Sequence, residues 1–426
     1  MSELADLDRR HVIHPHAVVG APRPPLVFVR GEGALLWDAE GNEYVDGTCG
    51  LWVCPVGHGR RELAHAAARQ MQELEYYASF WDFANEPSIR LAARLAELSP
   101  PGLDRVFFTN GGSEGTETAL KLARLSWYAQ GQPERTIVLT RKLAYHGVSY
   151  GSLGATGIPP LREGFGPLPG EFEFLTAPFP YRGTTTEELV SELERTIDRL
   201  GAEHIAAFIG EPVIGVGGMI PPHDDYWPRV QAVLRAHGIL FILDEVVTAF
   251  GRTGTWFAAE HWGGLEPDLL VTAKGLTSGY FPLGAVLVGE RVAAMLDGQA
   301  FRHGFTYNGH PTGCAVALEN LRIIEREGLL ARASELGGHL LSRLEPLAAL
   351  PTVGEARGFG LMAGLELLVE DAAELSDRIR GAGVIVRATG QKIVLSPPLT
   401  IRRAELDRIA DVLERELART PAPTPA

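Results

Sequence analysis

Between about residues 100 and 290, short apolar runs alternate with helix-like segments: "RVFFT" (105–109), "RTIVLT" (135–140), "HIAAFIG" (204–210), "GILFILDE" (238–245), "DLLVTA" (268–273) and "GAVLVG" (284–289). Each run is too short for a buried helix, and most are β-branched or aromatic, so the pattern predicts a mostly parallel sheet covered by helices, an α/β fold. Several runs end in polar groups: Asn110 and Ser113, Glu211, Asp244 and Lys274. Ligands in open α/β sheets bind beyond the carboxyl ends of the strands, so these residues are expected to converge on one site although they lie far apart in the chain.

The rest of the chain has a different texture. Paired short strands are predicted near 353–367 and 384–395 around a helix at 370–381, and "ALLWDAEGNEYVDG" near the N-terminus reads as a hairpin turning at "EGN". The last helix carries Leu406, Ile409, Leu413 and Leu417 at helical spacing, and "TPAPTPA" is expected to fray. The division that follows is an N-terminal segment (1–60) joined to a C-terminal small α+β domain (319–419), a large domain (61–318) and a disordered tail (420–426).

Composition narrows the function. The 426 residues are 45% hydrophobic, enough for a sizeable core, and the net charge of −14 is scattered, which argues against a nucleic-acid partner. No window approaches a membrane span and the opening residues lack a signal-peptide core, so a cytoplasmic protein is expected. Cys49, Cys54 and Cys314 show no CxxC pair and no zinc-like spacing, and read as packing residues; no metal site is expected.

Four features carry chemistry. "ILFILDEVV" drives an apolar strand into Asp244 and Glu245, of which alternation sends one inward, and a buried carboxylate needs a cationic partner. Lys274 ends the next strand among Gly275, Ser278 and Gly279, which leave room for something bulky beside its amine. In "FFTNGGSEGTETALKLAR" a strand turns through Gly112 and Ser113 into a helix whose free N–H groups suit a phosphate. "LAYHGVSYGS" adds Tyr145 and His146 in a glycine-rich loop. Singly, each has an ordinary reading: a loop salt bridge, a solvated lysine, a serine N-cap, loop anchors. Together they are what pyridoxal 5′-phosphate (PLP) chemistry requires, namely an amine to bond the aldehyde, an acid for the ring nitrogen, a stacking ring and phosphate donors.

Through "TNGGSEGTETALKLAR", "YHG", "GEPVIG", "LDEVVTAFGRTG", "PDLLVTAKGLTSGYFPLGAV", "HGFTYNGHP" and "VIVRATGQKIVLSPPL", in that order and spacing, the chain resembles the class III PLP-dependent aminotransferases of fold type I over roughly residues 8 to 418. "GLWVCPVGHGR", "TYNGHP" and "SPPL" are most similar to the ω-amino acid:pyruvate and amine:pyruvate transaminases. The resemblance implies that Lys274 carries the cofactor covalently and that Asp244 partners the pyridinium nitrogen. It gives Tyr145 and Val246 the two faces of the ring, and Gly112 and Ser113 the phosphate, with His146 and Glu211 also in the cofactor site. Thr306 of the partner subunit matches a phosphate ligand, and Phe80 of the partner subunit matches a pocket aromatic beside Trp52. A homodimer with shared sites, or a tetramer, is thus implied. Arg387 matches a mobile arginine that pairs with a substrate carboxylate.

Two positions depart from the pattern. Gly111 replaces a common serine, removing a hydroxyl from the phosphate side. Val216 stands where ornithine- and 4-aminobutyrate-type members carry a glutamate that holds the arginine, which argues against those subfamilies. The expected reaction is a two-stage transfer from an amine or ω-amino acid donor to a keto acid, with pyruvate the expected acceptor. A decarboxylating transaminase or an aminomutase is the alternative, because Lys274 and Asp244 serve any reaction needing an electron sink.

Overall fold

A computed structural model describes residues 3–20, 25–369 and 372–421. Its central sheet has seven strands in the spatial order Arg105–Thr109, Gly284–Val288, Leu269–Thr272, Leu240–Asp244, Ile205–Gly210, Ile137–Arg141 and Glu171–Leu175. Only Gly284–Val288 runs against its neighbours. All six apolar runs form strands, some starting a residue or two later than the sequence suggests. The edge strand Glu171–Leu175 escapes a hydrophobic reading because "EFEFL" places a glutamate at every second position.

Both faces of this sheet are covered, and that explains its apolar composition. Ala119, Leu120, Ala123 and Trp127 of the helix Gly112–Ala129 pack one face, against Ile209, Ile242 and Val271. The helices Thr186–Leu200 and Tyr226–Ala236 pack the other, where Leu193 and Trp227 meet Phe208, Phe241 and Leu243. The expectation that only one of Asp244 and Glu245 lies inside therefore fails: both are buried, at 4% and 0% exposure. Alternation still sends them to opposite faces, but neither face is solvent.

The two ends of the chain meet. The strands Leu35–Asp38 and Glu43–Asp46 form the predicted hairpin, and Glu43–Asp46 pairs in parallel with Val384–Ile385. A further four-stranded antiparallel sheet joins Val353–Gly358, Ala363–Leu367, Lys392–Leu395 and Arg387–Thr389. The helix Arg403–Ala418 buries Leu406, Ile409, Leu413 and Leu417 as its spacing predicts. Residues 422–426 of the expected tail lie outside the described residues. Among the described residues no helix is long and apolar enough to cross a membrane.

Candidate active site

At the carboxyl ends of the strands lies a cavity of about 770 Å³. Its lining includes Gly112 and Ser113 at the start of the helix Gly112–Ala129, Tyr145 and His146 from the loop after Ile137–Arg141, and Glu211 just past Ile205–Gly210. Asp244, Val246 and Lys274 come from the next two strand ends, and Trp52, Val216 and Arg387 close the remaining sides. Asn110 is not part of the lining; its backbone and side-chain N–H groups donate to Glu114 at 2.8 and 2.9 Å.

The buried polar groups are held by one another. Asp244 Oδ2 lies 2.7 Å from His146 Nδ1, so the partner a buried carboxylate requires is an imidazole on the neighbouring loop. His146 Nε2 is buried and has no partner among the described residues. Glu211 accepts the backbone N–H groups of Tyr145 and Gly215 at 3.0 and 2.9 Å, tying the aromatic loop to the turn that carries Val216. Burial pushes the Glu211 carboxyl upward, an effect that nearby His146 partly offsets.

Lys274 follows the strand Leu269–Thr272 with φ +43°, in the left-handed region that a lysine rarely adopts, and such strain persists only where the surroundings impose it. Burial lowers its pKa to about 8, against the opposing pull of Asp244 and Glu211. The amine lies 5.4 Å from the centre of the Trp52 ring, and the Arg387 guanidinium lies 4.9 Å from the same ring. Burial likewise lowers the pKa of Arg387, with Tyr145 acting against it.

Ser113 is not the helix N-cap that a plain reading of the sequence allows, since Gly111 takes that position. The Ser113 hydroxyl accepts the N–H of Val148 at 3.1 Å, which leaves its own proton to donate toward the cavity. The first-turn N–H groups of that helix have no intrahelical acceptors.

The class-III aminotransferase family model matches residues 17–417. A putrescine–pyruvate aminotransferase of Pseudomonas aeruginosa is 40% identical over 93% of this chain and 91% of its own length. An (S)-enantioselective ω-transaminase of Thermomicrobium roseum, of known structure, is 50% identical, covers 98% of both chains and superposes with a TM-score of 0.94. An amine transaminase from an uncultivated Pseudomonas species, solved with PLP bound, is 41% identical over 96% of this chain and 98% of its own, with a TM-score of 0.93. The chain belongs to the class-III aminotransferases.

PLP-dependent transamination is therefore the chemistry of this aminotransferase, and the cavity suits the cofactor. A Cβ at Gly112 would stand 3.0 Å from a Val246 methyl, so only glycine leaves both the helix start and Val246 in place. At Gly147, with φ +130°, a Cβ would approach the Ser113 hydroxyl to 2.7 Å. A serine hydroxyl, unpaired N–H groups, an orphaned imidazole nitrogen and a lysine of lowered pKa form a donor set matched to a phosphorylated pyridine aldehyde.

Two residues singled out from the sequence are not in the cavity of their own chain. Thr306 is exposed, and its carbonyl accepts a hydrogen bond from the Tyr76 hydroxyl. Phe80 packs beside Gly304, close to Thr306. They share one aromatic surface with Tyr77, Trp81, Phe83 and Tyr307, all exposed, Trp81 to 88%. Sequence reasoning missed Glu117, which accepts from the Ser149 hydroxyl and from the N–H groups of Gly151 and Ser152 at 2.7–2.9 Å, and so fixes the far end of the Tyr145 loop. It also missed His16, Ile158 and Leu161 in the lining, since none follows a strand or belongs to a polar motif.

Proposed function

We propose that this aminotransferase takes the amino group from an amine or ω-amino acid donor and delivers it to a keto acid, pyruvate, in two half-reactions at one cavity. The observation that carries this reading is Arg387. It faces the cavity over Trp52, and no ion pair among the described residues includes it. An arginine without its own carboxylate is free to accept one from a substrate through two parallel hydrogen bonds. Val216, where a glutamate would otherwise compete for the guanidinium, supports the same reading.

In this account Lys274 carries the cofactor and afterwards moves the proton at the substrate carbon, a task suited to an amine whose pKa is about 8. Bound PLP supplies an electron sink, which its protonated ring nitrogen makes effective. Asp244 holds that proton, and His146 orients Asp244. Tyr145 and Val246 would hold the ring, while Gly112 and Ser113 would bind the phosphate. Thr306 and Phe80 act on the partner's cavity, so the enzyme is a homodimer with shared sites; their exposed aromatic surroundings support that role. The three free cysteines and the dispersed negative charge suit a cytoplasmic enzyme.

Arg387→Ala tests the reading. Its first half-reaction with an amine lacking a carboxylate should run near the wild-type rate, followed as the change in visible cofactor absorbance. Half-saturation by pyruvate should rise steeply, by the ~2–5 kcal/mol typical of losing one side of a buried charge pair. Equal losses in both halves would mean that Arg387 supports the fold or the cofactor instead.

A further inference from the structure

The ring beneath Arg387 sits on an improbable piece of backbone. Cys49, Gly50 and Trp52 have φ of +54°, +71° and +61°, and two of the three carry side chains that disfavour this region. Such a turn exists only where its surroundings over-determine it. Here that role falls to Asp46, which is fully buried. Its carboxylate accepts the Thr48 N–H and hydroxyl at 2.9 and 3.0 Å, the Gly50 N–H at 2.7 Å and His58 Nε2 at 2.9 Å. His58 is fixed in turn by reciprocal backbone hydrogen bonds with Gly33, and a Cβ on Gly31 would collide with its side chain at 2.7 Å. Burial of His58 would disfavour its charge, yet the hydrogen bond that it donates to Asp46 leads the effects that raise its pKa to about 9, so the pair is ionic at neutral pH.

The turn delivers Trp52 at 2% exposure with its face toward Arg387 and Lys274. Both distances fall inside the range in which a cation is drawn to an aromatic face. A carboxylate at this place would grip the guanidinium and compete with any substrate carboxylate. An indole face holds the same charge more weakly and releases it.

We propose that Asp46 and His58 are positioning residues that present Trp52 as a cation–π shelf, on which Arg387 rests while the cavity holds a substrate without a carboxylate and from which it departs to meet a keto acid. This rests on the reading of Arg387 given above. Weakening the shelf should leave Arg387 less well parked, favouring the carboxylate-bearing substrate over the simple amine.

The test keeps shape constant and changes only the ring's charge distribution. Holoenzyme is prepared with a graded series of fluorinated tryptophans placed at position 52 by site-specific incorporation. Across the series, half-saturation by pyruvate should fall by about two- to fivefold while the half-reaction with a simple amine slows by a similar factor. His58→Gln should move both quantities in the same opposed senses, because it loosens the turn without touching substrate; a purely structural role would lower the amount of active enzyme and leave the two parameters in proportion. A flat fluorination series, or both substrates shifting together, overturns the shelf. If Arg387→Ala shows equal losses in both half-reactions, the underlying reading has failed; if that variant behaves as expected and the fluorinated series is flat, only the shelf has failed.

Discussion

Asp244 and Glu245 are neighbours in sequence and both are buried, yet they serve opposite sides of the sheet. Asp244 faces the cavity, meets one imidazole at 2.7 Å and accepts one backbone N–H, that of Val246, at 3.1 Å. Glu245 faces a closed region, where it accepts the N–H groups of Ala258 and Ala259 at 3.0 and 2.8 Å and the Thr248 hydroxyl. One carboxylate keeps hydrogen-bonding capacity in reserve for a ligand. The other spends its capacity on the chain itself, gathering the segment after the strand around its own oxygens. A buried acid thus becomes functional through what it leaves unsatisfied, and burial alone does not distinguish the two.

The largest effect should come from the open side. Asp244→Asn, whose amide oxygen can still accept a hydrogen bond from His146, should fold and melt close to the wild type but turn over ~10²–10³-fold more slowly, a loss of ~3–4 kcal/mol in barrier lowering. Near wild-type turnover would erase the contrast, because Asp244 would then be as structural as its neighbour.

The closed side should fail in the opposite way. Glu245→Ala strands two buried N–H groups at ~1–3 kcal/mol each, so the thermal midpoint should drop while turnover per folded enzyme stays within about twofold. Burial also pushes the Glu245 carboxyl up to about 7. Between an unfolded value of ~4.3 and 7, the folded chain retains a proton that the unfolded chain has released. Its contribution to stability is therefore complete below pH ~4.3 and is lost as the pH rises through 7. Glu245→Gln should flatten that part of the stability curve, which urea titrations at stepped pH would show; an unchanged slope would assign the burial effect elsewhere.

How far these differences could be read from the sequence follows from what each residue's signal depends on. The central strands were legible because a sheet covered on both faces demands uninterrupted apolar runs, and the polar residues ending those runs mark the cavity by topology. The same two-sided burial hid Glu245, since alternation separates faces but does not say whether either is wet. The strand Glu171–Leu175 lies at the sheet edge and alternates glutamate with phenylalanine, so its apolar content is halved. Glu117 and the Asp46–His58 pair act through backbone N–H groups, which no side-chain motif announces. The left-handed turn at Trp52 was equally silent, because only one of its positive-φ positions between Cys49 and Trp52 is a glycine.

If the cavity at the strand ends is where PLP is held, Lys274 is its covalent anchor. Borohydride reduction of the holoenzyme, followed by proteolysis and mass mapping, measures this directly. A pyridoxyl group is expected on the peptide containing "TAKGLTSGY", at Lys274 and in a ratio near one per chain. A pyridoxyl group on Lys121, Lys142 or Lys392, with Lys274 unmodified, would contradict it.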